Sequence, residues 1–123
     1  EDYTGNTLTL AFPLAPNIND KGTGFAGSLT AATTFCAWAV VKLLLKQNGL
    51  DFDLAVVTSN SEYKMPVTGD FTVASHLPST QAVDTFLNKL RSKGKASLPV
   101  GAVIRQGEVD AVIYQGTYVA FSR

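Results

Sequence analysis

From Gly27 to Asn48 the chain carries no charge until Lys42, and this stretch restricts the fold more than any other feature. Ser28, Thr30 and several alanines lead into Phe35, Trp38, Val41, Leu44 and Leu45, and Gly49 supplies a C-terminal stop. The pattern predicts a helix over 27–48, which at about 1.5 Å per residue spans roughly 33 Å. Its polar atoms are mainly Ser and Thr hydroxyls, which can bond back to helix carbonyls. A helix apolar on nearly every side is expected to be buried on nearly every side, with Phe35 and Trp38 as core anchors. A membrane span needs about 20 apolar residues. The longest such run here, Phe35 to Val41, is cut by Lys42, so no span is expected. The 123 residues form one domain, 1–123. In a domain this small, only a sheet curling around the helix can cover it.

The rest of the chain supplies that sheet. Leu8, Leu10, Phe12 and Leu14 alternate with smaller residues and predict a strand over 7–14, weakened at Pro13. Residues 54–65 predict a long strand with Leu54, Val56 and Thr58 on one face. A turn at Pro66–Asp70 then leads to a second strand of the pair over 71–77, with Phe71, Val73, Ser75 and Leu77 on one face. Val83, Phe86, Leu87 and Leu90 mark an amphipathic helix over 80–93, capped by Ser79 and ended by Gly94. Two more strands, 97–106 and 109–121, turn at Gly107-Glu108. Leu98, Val100, Ala102 and Ile104 share one face of the first; Val109, Ala111 and Ile113 share one face of the second. No strand–helix–strand unit repeats, so the class is α+β: an antiparallel sheet wrapped around one long central helix.

Charge and cysteine content exclude several functions. Ten basic and ten acidic residues cancel, so a general basic field for nucleic acid is absent. Only 16% of residues are charged, against a usual value of about 25%. That shortage suggests apolar surface hidden in an oligomer. A single cysteine, Cys36, sits in an apolar run and reads as buried and inert. A reducing, cytoplasmic location with no leader segment is expected. No cluster of His, Cys or acids points to a metal, and no phosphate-binding glycine motif occurs. His76, the only histidine, lies in a strand ending at Pro78 and reads as a surface residue. Without a G-x-S-x-G elbow it does not suggest a triad.

Two segments carry a resemblance. Asn19-Asp20-Lys21-Gly22-Thr23-Gly24-Phe25-Ala26-Gly27 resembles the N-x-x-G-x-x-H-G-G loop of acyl-CoA thioesterases of the phenylacetate-pathway type. Tyr63-Lys64-Met65-Pro66-Val67-Thr68-Gly69-Asp70-Phe71-Thr72 resembles the R-P-x-x-G-D-L turn of the same superfamily. Together with the element order, they make the chain similar to the hotdog-fold thioesterases. It most resembles the bacterial domain that stands alone or follows an acetyltransferase domain. The resemblance implies an acyl-CoA or acyl-carrier-protein substrate and a homodimer or tetramer whose sites draw on two chains. It implies no cofactor beyond coenzyme A as part of the substrate.

By the same resemblance, Asn19 matches the loop Asn that places the thioester or the attacking water. The backbone amides around Ala26, Gly27 and Ser28 match the helix start that polarises the thioester carbonyl. Gly22 and Phe25 belong to this substrate loop, and Phe25 stands where other thioesterases have His. Thr34, nine residues after Phe25, stands where active relatives usually carry an Asp or Glu. Asn60 and Ser61, in the long strand, are expected to line the acyl site at the dimer interface.

The helix start also has a case independent of family. The first four amides of a helix lack internal partners and carry about half a positive charge, which suits a developing oxyanion. The small residues Gly24, Ala26 and Gly27 let a carbonyl approach, or simply pack the helix start. Asp20, the acid of the loop, could act as general base but reads first as an exposed loop residue, and Glu62 is an alternative carboxylate. Thr33 reads as a satisfied hydroxyl on a buried helix. Lys89, Arg91, Lys93 and Lys95 form a basic stretch that suits coenzyme A phosphates or an acidic carrier, or a solvated helix end. The expected function is hydrolysis of an acyl thioester. The alternative is a non-catalytic module that binds acyl thioesters or dimerises a partner acetyltransferase. A dehydratase of the same fold pairs a His with an acid, and His76 is badly placed for that.

Overall fold

Residues 2–12 and 26–122 are described by the computed structural model, with side chains over 3–12 and 29–122. The elements run β1 (Asp2–Tyr3), β2 (Thr7–Phe12), α1 (Ala26–Gln47), β3 (Asp53–Tyr63), β4 (Phe71–His76), α2 (Thr80–Lys93), β5 (Lys95–Gln106) and β6 (Val109–Phe121). All strands join one antiparallel sheet in the order β1-β2-β4-β5-β6-β3. The α+β class and the long central helix stand as expected. Pro13 and Leu14 of the first predicted strand lie outside the described residues, and the short β1 was not foreseen.

The core forms between one side of α1 and one face of the sheet. Leu29, Cys36, Val40, Val41 and Leu45 of the helix meet Val73, Val100, Ala102, Ile104 and the two tyrosines Tyr114 and Tyr118. Each fully buried aliphatic side chain contributes about 1.5–3 kcal/mol of transfer free energy. Polar contacts also cross this layer: the Ser75 hydroxyl donates to the Cys36 carbonyl at 2.9 Å, and the Cys36 thiol donates to Ser75 Oγ at 3.3 Å. The stretch Leu29–Gln47 has the length and mean hydropathy (1.4) of a membrane span, yet half of it is buried within the domain. It is the core helix of this fold.

Four expectations are corrected. First, α1 is not buried all round. Phe35 and Trp38 are exposed on its outer side, at 54% and 37%, with their rings stacked at 6.2 Å and Lys42 Nζ over the indole. The sheet covers one side of the helix only. Second, β3 and β4 do not pair; β3 pairs with β6, while β4 lies between β2 and β5. The linking segment crosses the strand ends instead of turning back. The Lys64 amide donates to the Ala111 carbonyl at 2.8 Å, and those of Thr68 and Gly69 donate to Gln106 Oε1 at 2.5 and 2.8 Å.

Third, a bulge at Val57 shifts the register of β3 between Val56 and Thr58. Leu54 and Val56 pair with the inward residues Ala120 and Tyr118, but beyond the bulge Ser59, Ser61 and Tyr63 take over that face and Thr58 leaves it. Fourth, β6 has the opposite phase to its prediction. An irregularity near Ala111 precedes a buried face of Val112, Tyr114, Gly116, Tyr118 and Ala120, leaving Val109 and Ile113 exposed.

The smaller helix follows its sequence signals. The Ser79 hydroxyl accepts from the Ala82 amide at 3.2 Å, and Gly94 closes α2 at φ 74°, donating to the Leu90 carbonyl. Phe86, Leu87 and Leu90 are buried, and α2 packs against β5.

Candidate active site

The helix opens with Ala26, Gly27 and Ser28, and no acid stands in its first turn. An acid-free start leaves the partial positive charge of the free amides uncompensated by the helix itself. Thr30 and Thr34 follow on the same face as Gly27, at the i, i+3, i+7 spacing of neighbouring turns. Both hydroxyls reach the sheet. Thr30 Oγ1 lies 2.6 Å from the Tyr63 hydroxyl at the end of β3, and the half-buried Thr34 donates from Oγ1 to the Tyr114 hydroxyl of β6 at 3.4 Å.

Behind Thr34 the polar contacts continue inward. The hydroxyls of Tyr114 and Tyr118 lie 2.8 Å apart, and Tyr118 donates to the Thr34 carbonyl at 3.0 Å. Both rings are fully buried. Burial first, and then the hydrogen bond and proximity of Tyr114, push the Tyr118 phenol up from its ordinary value. Tyr118 therefore stays neutral and able to donate through the physiological range. Gly116 lies between the two tyrosines on the same face. A Cβ there would stand 2.7 Å from the Tyr114 hydroxyl and 2.9 Å from the Tyr118 ring.

The predicted site residues separate into three groups. Asn19, Gly22 and Phe25 lie outside the described residues, as does Asp20. Ala26, Gly27 and Ser28 form the start of α1, and Thr34 faces the sheet two turns later. In β3, Ser61 pairs with Tyr114 and so shares the helix side of the sheet with the Thr34 cluster. Asn60 pairs with Gln115 on the opposite face, exposed, and is not brought to Thr34. Glu62 also points to that outer face, where it pairs with Lys64 at 3.0 Å.

The other candidates take the places their sequence context suggested. Thr33 is buried, its hydroxyl bonded to the Leu29 and Thr30 carbonyls. Cys36 is fully buried, and burial pushes its thiol up. His76 is exposed on the outer face, above Gly101. The end of α2 is exposed at Lys89, Arg91 and Lys93, with Arg91 reaching Asn48 Oδ1 at 3.4 Å. Among the described residues no group of three His, Cys, Asp or Glu side chains could hold a metal ion. A hollow of about 330 Å³ at the end of β2, between Phe12, Phe71 and Arg105, does not include this cluster.

Sequence reasoning missed Tyr63, Tyr114 and Tyr118. A signal was present in Tyr114-x-Gly116-x-Tyr118: a period-two pattern in which a residue without a side chain leaves room for two large ones.

Comparison with known proteins places this geometry among relatives. The family model described as "Putative thioesterase (yiiD_Cterm)" matches residues 1–122. A protein of unknown function from Chlorobaculum tepidum is 32% identical with a TM-score of 0.93, over 100% of this chain and 81% of that one. A structure described as a "putative thioesterase" from Shewanella oneidensis is 26% identical with a TM-score of 0.83, over 98% of this chain and 80% of that one. A mutant thioesterase from Pseudomonas aeruginosa shares the fold at 10% identity, with a TM-score of 0.77 over 98% and 78% of the two chains.

Proposed function

The chain belongs to this thioesterase family of the hotdog superfamily, and on that premise we propose that it hydrolyses an acyl thioester at a site shared by two copies. The observation that carries the reading is the start of α1: small, acid-free and on the same helix face as Thr34. Amides at that start would receive the carbonyl oxygen as it becomes an oxyanion; losing one such donor costs about 2.7–4 kcal/mol in other hydrolases. Water adds to the carbonyl carbon, the C–S bond breaks, and the proton given up by water ends on the departing sulfur. The products are a carboxylic acid and a thiol.

Distance argues for two copies. Gly27 and Thr34 are seven residues apart in one helix, about 10 Å along its axis. One small reacting group does not touch both. A second copy whose Thr34 faces this helix start supplies the missing partner, with Asn19 of the loop as the second orienting group. Thr34 has no carboxylate and holds the water as a neutral hydroxyl. The acyl chain is carried on coenzyme A or an acyl carrier protein, and coenzyme A enters only as part of the substrate. The uncharged environment of α1 suits a medium or long acyl chain, in a cytoplasmic setting.

A second reading rests on Thr34 itself. A hydroxyl stands where the resemblance leads to a carboxylate, and Glu62 is turned to the outer face and paired. A domain of this kind could bind acyl thioesters, or dimerise a partner acetyltransferase, without turnover. Thiol release from acyl-CoAs, acetyl to palmitoyl with aromatic ones included, separates the two. Saturable release that falls in Asn19→Ala and Thr34→Ala supports the hydrolase. A folded oligomer that releases nothing, yet binds acyl-CoA on titration, supports the binding module.

A further inference from the structure

We propose that Tyr114 and Tyr118 are positioning residues that fix the direction of the Thr34 hydroxyl and make it an acceptor for the attacking water. This rests on the hydrolase reading above and assigns a role to two residues outside it. The argument is one of counting protons. Tyr118 donates to the Thr34 carbonyl, which can only accept. A phenol has a single proton, so across the 2.8 Å contact between the two phenols Tyr114 must donate and Tyr118 accept. Tyr114 has then spent its own proton, and at its contact with Thr34 Oγ1 it can only accept. The three hydroxyls form a closed ring, Thr34 to Tyr114 to Tyr118 and back to the Thr34 backbone, with one permitted sense.

Thr33 shows what the ring changes. In a helix a Thr hydroxyl ordinarily donates to a carbonyl three or four residues back. Thr33 does so, toward Leu29 and Thr30. Thr34, the next residue of the same helix, instead sends its proton across to β6. Its remaining lone pairs serve only as an acceptor. A water at Thr34 must therefore donate a proton to Oγ1, which turns one of its own lone pairs away from the threonine and toward a bound carbonyl. A hydroxyl free to rotate would hold water in either sense, and in one of them a lone pair of the water is tied up by the threonine.

Burial and charge state support the assignment. Both phenols are closed off from solvent, and burial holds Tyr118 neutral. Gly116 leaves the space in which they meet. An apolar pair would fill that space equally well; only the hydroxyls explain why Thr34 departs from its neighbour's behaviour.

The test is a double-mutant cycle read in kcat and KM with the best acyl-CoA of the panel. Tyr114→Phe is expected to lower kcat about tenfold, the worth of one oriented hydrogen bond, with KM within about twofold of wild type. Thr34→Val is expected to lower kcat at least as far. The double variant is expected to match Thr34→Val, because Tyr114 acts only through Thr34. Tyr118→Phe provides a second entry to the cycle: it frees the Tyr114 proton to turn toward Thr34, and is expected to lower kcat likewise. Additive losses, a rise in KM alone, or wild-type kcat in folded Tyr114→Phe and Tyr118→Phe would overturn the positioning role and leave the hydrolase reading intact. If the wild-type protein releases no thiol from any acyl-CoA, the hydrolase reading falls, and the positioning role falls with it.

Discussion

At Gly116 the absence of a side chain is a structural requirement. Its φ lies in the ordinary range, so the constraint is space: a Cβ would press on the Tyr114 hydroxyl at 2.7 Å and the Tyr118 ring at 2.9 Å. Both rings are fully buried and tied to α1, so neither yields easily. Gly116→Ala is expected to cost about 1–3 kcal/mol, the usual penalty of overpacking a core, read as a lower denaturation midpoint. Tyr114→Phe removes the nearest atom and is expected to restore part of the loss in the double variant. The buried acids of this core also set a response to base. Cys36 and Tyr118 are both pushed up by burial from ordinary values of 9.0 and 10.0. Below those values both states of the chain are protonated and the stability is complete. Above them the unfolded chain ionises while the folded one does not. Stability therefore falls with rising pH, by about 1.4 kcal/mol per pH unit for each group until its folded pKa is reached. Thermal unfolding is expected to be insensitive to these two groups below about pH 8, with the decline above pH 10 shallower in Tyr118→Phe.

Elements were more legible than their arrangement. The charge-free run before Lys42, the Ser79 cap and the Gly94 stop mark both helices to within a residue, because a helix is specified by neighbours along the chain. Ser79→Ala is expected to cost about 1 kcal/mol of stability, from the lost bond to the Ala82 amide, with no change in oligomeric state. Strand pairing depends on distant residues, and there local reading failed. The turn-like Pro66–Asp70 suggested a hairpin, but its amides are bonded to Gln106 of β5 and the chain crosses to β4. The phases of β3 and β6 failed for a related reason. A bulge adds one residue and exchanges the two faces beyond it, leaving no mark in a run as uniform as Leu54–Thr58. The candidate site was legible where it lies on α1, at Gly27 and Thr34. In β3, Ser61 was named from the sequence but its face was not: the bulge carries Ser61 and Tyr63 to the helix side and leaves Asn60 on the other.

For the whole molecule, most of the exposed large apolar residues lie on α1 and at the β3 edge, with Val109 and Ile113 on β6. Phe35 and Trp38 lie on the uncovered side of α1, Val56, Val57 and Tyr63 on β3, and Met65 just after it. β3 ends the sheet: among the described residues it pairs only with β6, and ten of its eleven residues from Asp53 to Tyr63 take part, Val57 being the bulge. A long edge strand carrying Val56 and Val57 at 43% and 62% exposure is a template for another strand, and proteins left with such edges usually cover them. The same copy would cover the outer side of α1 and bring a second Thr34 near the first helix start, as the 10 Å separation along one helix requires. Lysine on an edge strand opposes this pairing while leaving a solvent-exposed position of the protomer little disturbed. Sedimentation is expected to show wild type as a dimer or tetramer and Val57→Lys as a monomer with unchanged circular dichroism. Thiol release is expected to disappear with the oligomer if, as proposed, each site draws on both copies. A wild-type monomer at micromolar concentration would remove the two-copy site. Full release from monomeric Val57→Lys would instead place the helix start and the water-holding group within one chain.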